Sequence, residues 1–200
     1  MPITVSLVIG SVRPGRQGTR VAKYLEKKLE DAGLIVHVID PVELKVPLLA
    51  GRYDWLPEDQ KSDALKTIQA KYAESDAFVI LSPEYNHSFS PVISTVLDYF
   101  WYNEFFGKVA AIATYSMGSF GGVRAAGPLF GLLAGLGLVT IPREIPFPSV
   151  HTLLNEDGTL TAEAGKSGES VEDGAVKFAN ELKWYAEALK AKRAGGLPPQ

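Results

Sequence analysis

The chain has 200 residues, a formal net charge of −3 and no cysteine. That length suits one ordinary domain with a sizeable core, and the charge implies no broad basic surface for nucleic acid. The cysteine count excludes disulfides and thiolate catalysis, and His37, His87 and His151 stand in no HExxH or i, i+4 pattern, so no metal site is expected.

In chain order, residues 3–9 read as a buried apolar strand; no basic region precedes them, which argues against a signal peptide. Residues 19–32 read as a helix with Val21, Leu25 and Leu29 on one face and Gly33 as its stop. A second strand spans 35–39, and a helix over 58–75 carries Leu65, Ile68 and Tyr72 at helical spacing. A third strand spans 77–81. Ser90 and Pro91 make an N-cap and N1 pair for a helix carrying Val92, Val96 and Phe100. The fourth strand is 109–115, followed by a Gly/Ala-rich helix over 122–136 and a fifth strand over 138–141. The apolar stretch 129–141 is too short and glycine-rich to span a bilayer, so neither membrane nor nucleic acid is an expected partner and the expected location is cytoplasmic. The segment 151–169, with a turn at Asp157-Gly158, reads as a surface excursion before a last helix over 170–193. Residues 1–193 thus form one domain, and 194–200 read as a flexible tail.

Short unalternating strands, each followed by a helix, imply a doubly wound α/β fold: a five-stranded parallel sheet with helices on both faces. In such a sheet ligands bind at the carboxyl edge of the strands, where the strand order reverses. Three segments at that edge are rich in residues that bring backbone N–H groups to a ligand: GSVRPGRQGT from Gly10, SPEYNHSFSP from Ser82, and SMGSFGG from Ser116. The first has the Gly10-x₄-Gly15 spacing of a nucleotide P-loop, but Arg16 and Gln17 replace its Lys and Ser/Thr, and no strand ends in an Asp placed for Mg²⁺. What remains suits a dianionic monophosphate at a helix N-terminus, held by N–H groups, the Ser11 and Thr19 hydroxyls and Arg13; a turn with solvated arginines is the other reading.

The three segments in this order resemble the NADPH-dependent FMN reductase family, which is flavodoxin-like and includes quinone, azo-dye and chromate reductases. The resemblance spans roughly residues 3–141. It implies that Ser11, Arg13, Arg16, Gln17, Gly18 and Thr19 surround an FMN phosphate. It implies further that Pro83, Glu84, Tyr85 and Asn86 line the isoalloxazine edge, and that Ser116, Met117, Gly118 and Gly121 close the other side. Ser94 and Thr95 stand where related sequences often carry Lys and Asn, and Gly18 where many carry Asn. The implied activity is ping-pong hydride transfer from NADPH or NADH through FMN N5 to a small-molecule electron acceptor such as a quinone or free flavin. Because a flavin brings its own redox chemistry, the protein needs to orient it and stabilise charge, with backbone N–H groups of 116–118 serving N1. The alternatives are a flavodoxin-type one-electron carrier with a protein redox partner, and a serine hydrolase using Ser116 and His151, although Thr114 spoils G-x-S-x-G. Finally, residues 99–106, YFWYNEFF, hold six aromatics in eight positions. Continued as a helix they would sweep the whole circumference and leave rings exposed, which predicts a homodimer or larger homo-oligomer.

Overall fold

The structure, a computed structural model, describes residues 2–197; positions 198–200 of the expected tail lie outside the described residues. Five apolar runs pair in parallel, in the order β2-β1-β3-β4-β5, as β1 (Thr4–Ile9), β2 (Ile35–Ile39), β3 (Ala77–Pro83), β4 (Val109–Tyr115) and β5 (Val139–Phe147). β3 and β4 are buried along their whole length, which is why they read as continuous apolar runs without alternation.

The pleat divides the core in two. Val5, Leu7, Val79, Leu81, Ala111 and Ala113 face one side with α1 (Gly18–Asp31) and α7 (Gly165–Arg193). Val8, Phe78, Ile80, Ala110 and Ile112 face the other, with α2 (Asp63–Glu74), α3 (Pro91–Asp98) and α5 (Ala126–Gly135). This is the doubly wound, flavodoxin-like arrangement expected from the sequence. α1 ends as its glycine requires: Gly33, at φ +81°, lets its own N–H reach Glu30 O (2.8 Å) and that of Leu34 reach Leu29 O (3.1 Å), a Schellman closure. The far end of α7 is tied to the sheet by Asp76, which accepts from Lys190 (2.7 Å) and Arg193 (2.8 Å).

Four expectations need correction. β5 runs to Phe147, well past residue 141, with an irregular register between Ala110 and Ile112 of β4. Pro142 and Pro146 do not stop it, because an edge strand has one side on which no ladder N–H is needed. α7 begins at Gly165, five residues earlier than its periodicity indicated. The 151–169 excursion is not merely superficial. A short helix, α6 (Val150–Leu153), leads into a turn stapled to α1 by Arg20, which donates to Leu154 O (2.8 Å), and by Lys23, which donates to Glu156 O (2.9 Å).

The fourth concerns the aromatic run. α3 stops at Asp98; Trp101 breaks the helix, and a separate turn, α4 (Tyr102–Phe105), follows. Phe100 and Phe105 turn inward onto Tyr72 and Phe78 as edge-to-face and tilted pairs 5.2–5.5 Å apart, and buried Tyr99 packs beside Phe100 at 6.4 Å. The chain break lets these rings share one core, so the circumference argument for an oligomer fails.

Candidate functional site

β1 has β2 on one side and β3 on the other, so the connections leaving β1 and β3 diverge to opposite faces and leave a crevice at their carboxyl ends. A cleft of about 240 Å³ lies there, walled by the loops after β1, β3 and β4.

The β1 loop leaves the sheet at Gly10, where a Cβ would lie 2.7 Å from both Leu81 O and the Ile93 side chain, so a glycine is required. Ser90 occupies the N-cap of α3, yet its hydroxyl makes no capping bond; it donates across the sheet to Gly10 O and fixes the start of the loop. Arg16 sets the loop's return. Its guanidinium donates to both carboxylate oxygens of Asp40 (2.7 and 2.6 Å) and to Ser11 O (2.9 Å). Asp40 directly follows β2 on the same edge, so a strand here does end in an aspartate, and what it holds is an arginine. α1 then starts at Gly18 with Gln17 as an N-cap that makes no side-chain capping bond, and no acidic residue lies in the first turn. The start of α1 therefore meets the cleft at Gln17 with no carboxylate in its first turn to offset the dipole.

The β3 loop contributes Pro83, Glu84 and Tyr85 to the wall. Asn86 and His87 both have positive φ (51° and 64°), and Tyr85 and Ser88 exchange backbone hydrogen bonds of 2.9 and 3.0 Å. This is a two-residue turn of the type that asparagine tolerates well. It holds the Tyr85 ring beneath the Arg13 guanidinium, 3.8 Å from its centroid. Glu84 accepts from both the backbone and the guanidinium of Arg124 (3.2 Å each), linking this loop to the next.

The β4 loop brings Tyr115, Ser116 and Met117 to the wall. The Ser116 N–H donates to Phe147 O (3.2 Å) and its hydroxyl to Gly118 O (3.0 Å). Of the three amides expected to serve a flavin N1, Met117 and Gly118 keep N–H groups that no acceptor among the described residues takes. The Ser116 hydroxyl, turned to a carbonyl and not to a histidine, gives no support to a hydrolase. Gly121 (φ +64°) packs so closely on Pro146, Phe147 and Pro148 that a Cβ would approach to 2.8–3.1 Å; it shapes the loop from behind.

The structure thus brings nine of the expected residues to one cleft: Ser11, Arg13, Arg16 and Gln17; Pro83, Glu84 and Tyr85; and Ser116 and Met117. Gly18, Thr19, Asn86, Gly118 and Gly121 stand behind or beside its wall, and the Thr19 hydroxyl donates to Arg16 O (3.5 Å). Two participants escaped the sequence reading. Asp40 could have been found as an acidic residue closing β2 on the ligand edge. Tyr115 could have been found as a polar-tipped ring closing a largely apolar interior strand. Burial pushes the Tyr115 phenol well above its usual range, so it is neutral and protonated at physiological pH.

A parallel sheet in this order, with an uncapped helix N-terminus and an arginine at its switch-point cleft, defines a flavodoxin-like α/β protein built to hold a phosphate-bearing cofactor. Residues 3–152 match the family described as NADPH-dependent FMN reductase, and the chain belongs to it. It is accordingly an NAD(P)H-dependent flavin oxidoreductase, with FMN as its cofactor. Among similar proteins are an NADPH azoreductase of Bacillus sp. (strain OY1-2), 28% identical over 93% of this chain and 95% of its own. An NAD(P)H-dependent FMN reductase of Saccharomyces cerevisiae is 25% identical over 74% and 90%, respectively. The fold matches FerB, a flavoenzyme NAD(P)H:(acceptor) oxidoreductase of Paracoccus denitrificans, with a TM-score of 0.66 at 23% identity over 92% of this chain and 98% of that one.

The residues present fit FMN. The uncapped α1 terminus suits its phosphate. Among the described residues Gln17 Oε1 is buried without a hydrogen-bond partner, an orphaned acceptor on a residue of the cleft wall. The β4 loop offers free amides on the far side of the cleft.

Proposed function

We propose that the protein transfers reducing equivalents from NAD(P)H to small-molecule acceptors (quinones, azo compounds or free flavin) by ping-pong turnover at one cleft within a single domain, residues 1–193. FMN, when bound, would supply the chemistry, namely hydride acceptance from the nicotinamide and two-electron reduction of the acceptor. Ser11, Arg13 and the first N–H groups of α1 bind the phosphate, and Arg16, through Asp40, holds the loop that presents them. Glu84, Tyr85 and Asn86 shape the side that receives the ring edge. The Met117 and Gly118 amides supply fixed dipoles on the opposite side, which stabilise negative charge without reorganising. The Glu84–Arg124 pair joins the two loops that flank the ring.

The observation that carries this reading is the convergence of an uncapped helix N-terminus, Arg13 and two further loops on the β1/β3 crevice. Initial rates of NADPH oxidation with FMN-loaded protein and a soluble quinone test it. Parallel double-reciprocal lines are expected; intersecting lines would contradict alternating use of one cleft, and no oxidation would contradict the activity.

The proposal includes a homodimer or larger homo-oligomer. What supports it is an exposed cluster in which Arg52 lies over Trp101 (3.5 Å) and beside Trp55 (5.0 Å), with Leu48 and Leu49 close by in sequence and also exposed. Large aromatic rings with an arginine are enriched at interface centres.

A further inference from the structure

Tyr115 closes β4, an interior strand between β3 and β5, and the residue is 5% exposed. The hydroxyl reaches the first residue of α1: a Cβ on Gly18 would lie 2.7 Å from the Tyr115 hydroxyl oxygen and 3.1 Å from Cζ. Since φ at Gly18 is helical, the glycine is there for space, and the space belongs to the phenol. The same oxygen therefore lies against the first residue of α1, and Ser11, on the same wall of the cleft, has its hydroxyl 3.1 Å from that of Tyr85. Tyr115 and Ser11 both line the cleft.

We propose that Tyr115 is a cofactor-binding residue of this chain, its hydroxyl donating a hydrogen bond to the FMN phosphate from the place a side chain at position 18 would otherwise fill. The assignment rests on the FMN reading above. A phenol carries one hydrogen to donate, and from the cleft wall that hydrogen can reach a ligand. Among the described residues, none of the hydroxyls of Tyr115, Ser11 and Tyr85 bonds to a carboxylate. A dianionic phosphate in the cleft supplies an anionic acceptor. The phenol then adds a donor beside the helix terminus, one that stays protonated at neutral pH.

The test compares FMN with riboflavin, which lacks the phosphate, by flavin fluorescence titration of flavin-free protein. Tyr115→Phe is expected to lower FMN affinity roughly tenfold or more and to leave riboflavin affinity within about twofold. Gly18→Ala should mimic it by displacing the phenol, and the double variant should lose little beyond either single change, because all three remove one contact. Full FMN affinity in Tyr115→Phe would overturn the assignment, as would equal losses for FMN and riboflavin, which would show that the ring shapes the cleft without reaching phosphate. If Tyr115→Phe does not fold, the FMN-to-riboflavin ratio of Gly18→Ala decides by the same criterion. Failure of the unaltered protein to prefer FMN over riboflavin would instead refute the phosphate site itself.

Discussion

Arg16 could touch phosphate or hold the loop that does, and the structure favours the second, which makes a sharp prediction for Asp40→Ala. The substitution removes two charge-assisted hydrogen bonds and leaves a guanidinium whose side chain is 11% exposed, against 13% for the aspartate. Breaking a buried pair by deleting one partner costs about 3–5 kcal/mol. The remaining exposure lets water reach the orphaned charge and puts this case near the lower bound, about 3 kcal/mol. For a chain of this size that corresponds to a fall of about 6–12 °C in Tm. Urea unfolding of flavin-free protein, followed by tryptophan fluorescence, is the suitable assay because it keeps ligand binding out of the balance. Arg16→Ala should lose a similar amount and the double variant little more, giving a coupling energy of about 3 kcal/mol in magnitude. Both single variants should also bind FMN more weakly, since the phosphate loop loses its anchor. Additive stability losses would refute the latch. So would a fall in FMN affinity for Arg16→Ala with none for Asp40→Ala, the pattern of a direct phosphate ligand.

Three further predictions rest on other parts of the molecule. Arg13→Ala should weaken FMN by about 1.5–3 kcal/mol, roughly ten- to 150-fold, and riboflavin hardly at all; parallel losses would place Arg13 in the scaffold. Burial, with the Arg193 guanidinium nearby, pulls the Lys108 ammonium down to about 8 from 10.5. The unfolded chain therefore holds more protons than the folded one between those values, and stability should rise with pH across that window, by up to about 3 kcal/mol for the whole gap. Denaturation midpoints between about pH 7.5 and 9.5, below ordinary tyrosine titration, should show the rise, and Lys108→Met should flatten it; an equal slope in the variant would assign the effect elsewhere. Light scattering should give a mass above the 21.6 kDa monomer, reduced by Trp101→Glu; a monomeric mass for the unaltered protein would end the assembly proposal.

The sheet was legible because its central strands are buried on both faces and so carry unbroken apolar runs, and the loops that wall the cleft announced themselves by glycine, serine and arginine. What stayed hidden depends on partners distant in sequence. Nothing local to Arg16 shows that Asp40, across β2, claims its guanidinium. Nothing around Tyr115 shows that its oxygen fills the side-chain space of Gly18. The continuation of β5 through Pro142 and Pro146 becomes readable only once the strand is known to lie at an edge. The aromatic run misled because a helical period was extended through Trp101, where backbone geometry breaks it and three rings turn into the core.

Titration of flavin-free protein with FMN, followed by flavin fluorescence and visible absorption, tests whether the β1/β3 crevice is an FMN site. Saturable binding of about one FMN per chain is expected, competed by inorganic phosphate at the same cleft. A protein that stays colourless and leaves the flavin signal unchanged would contradict it.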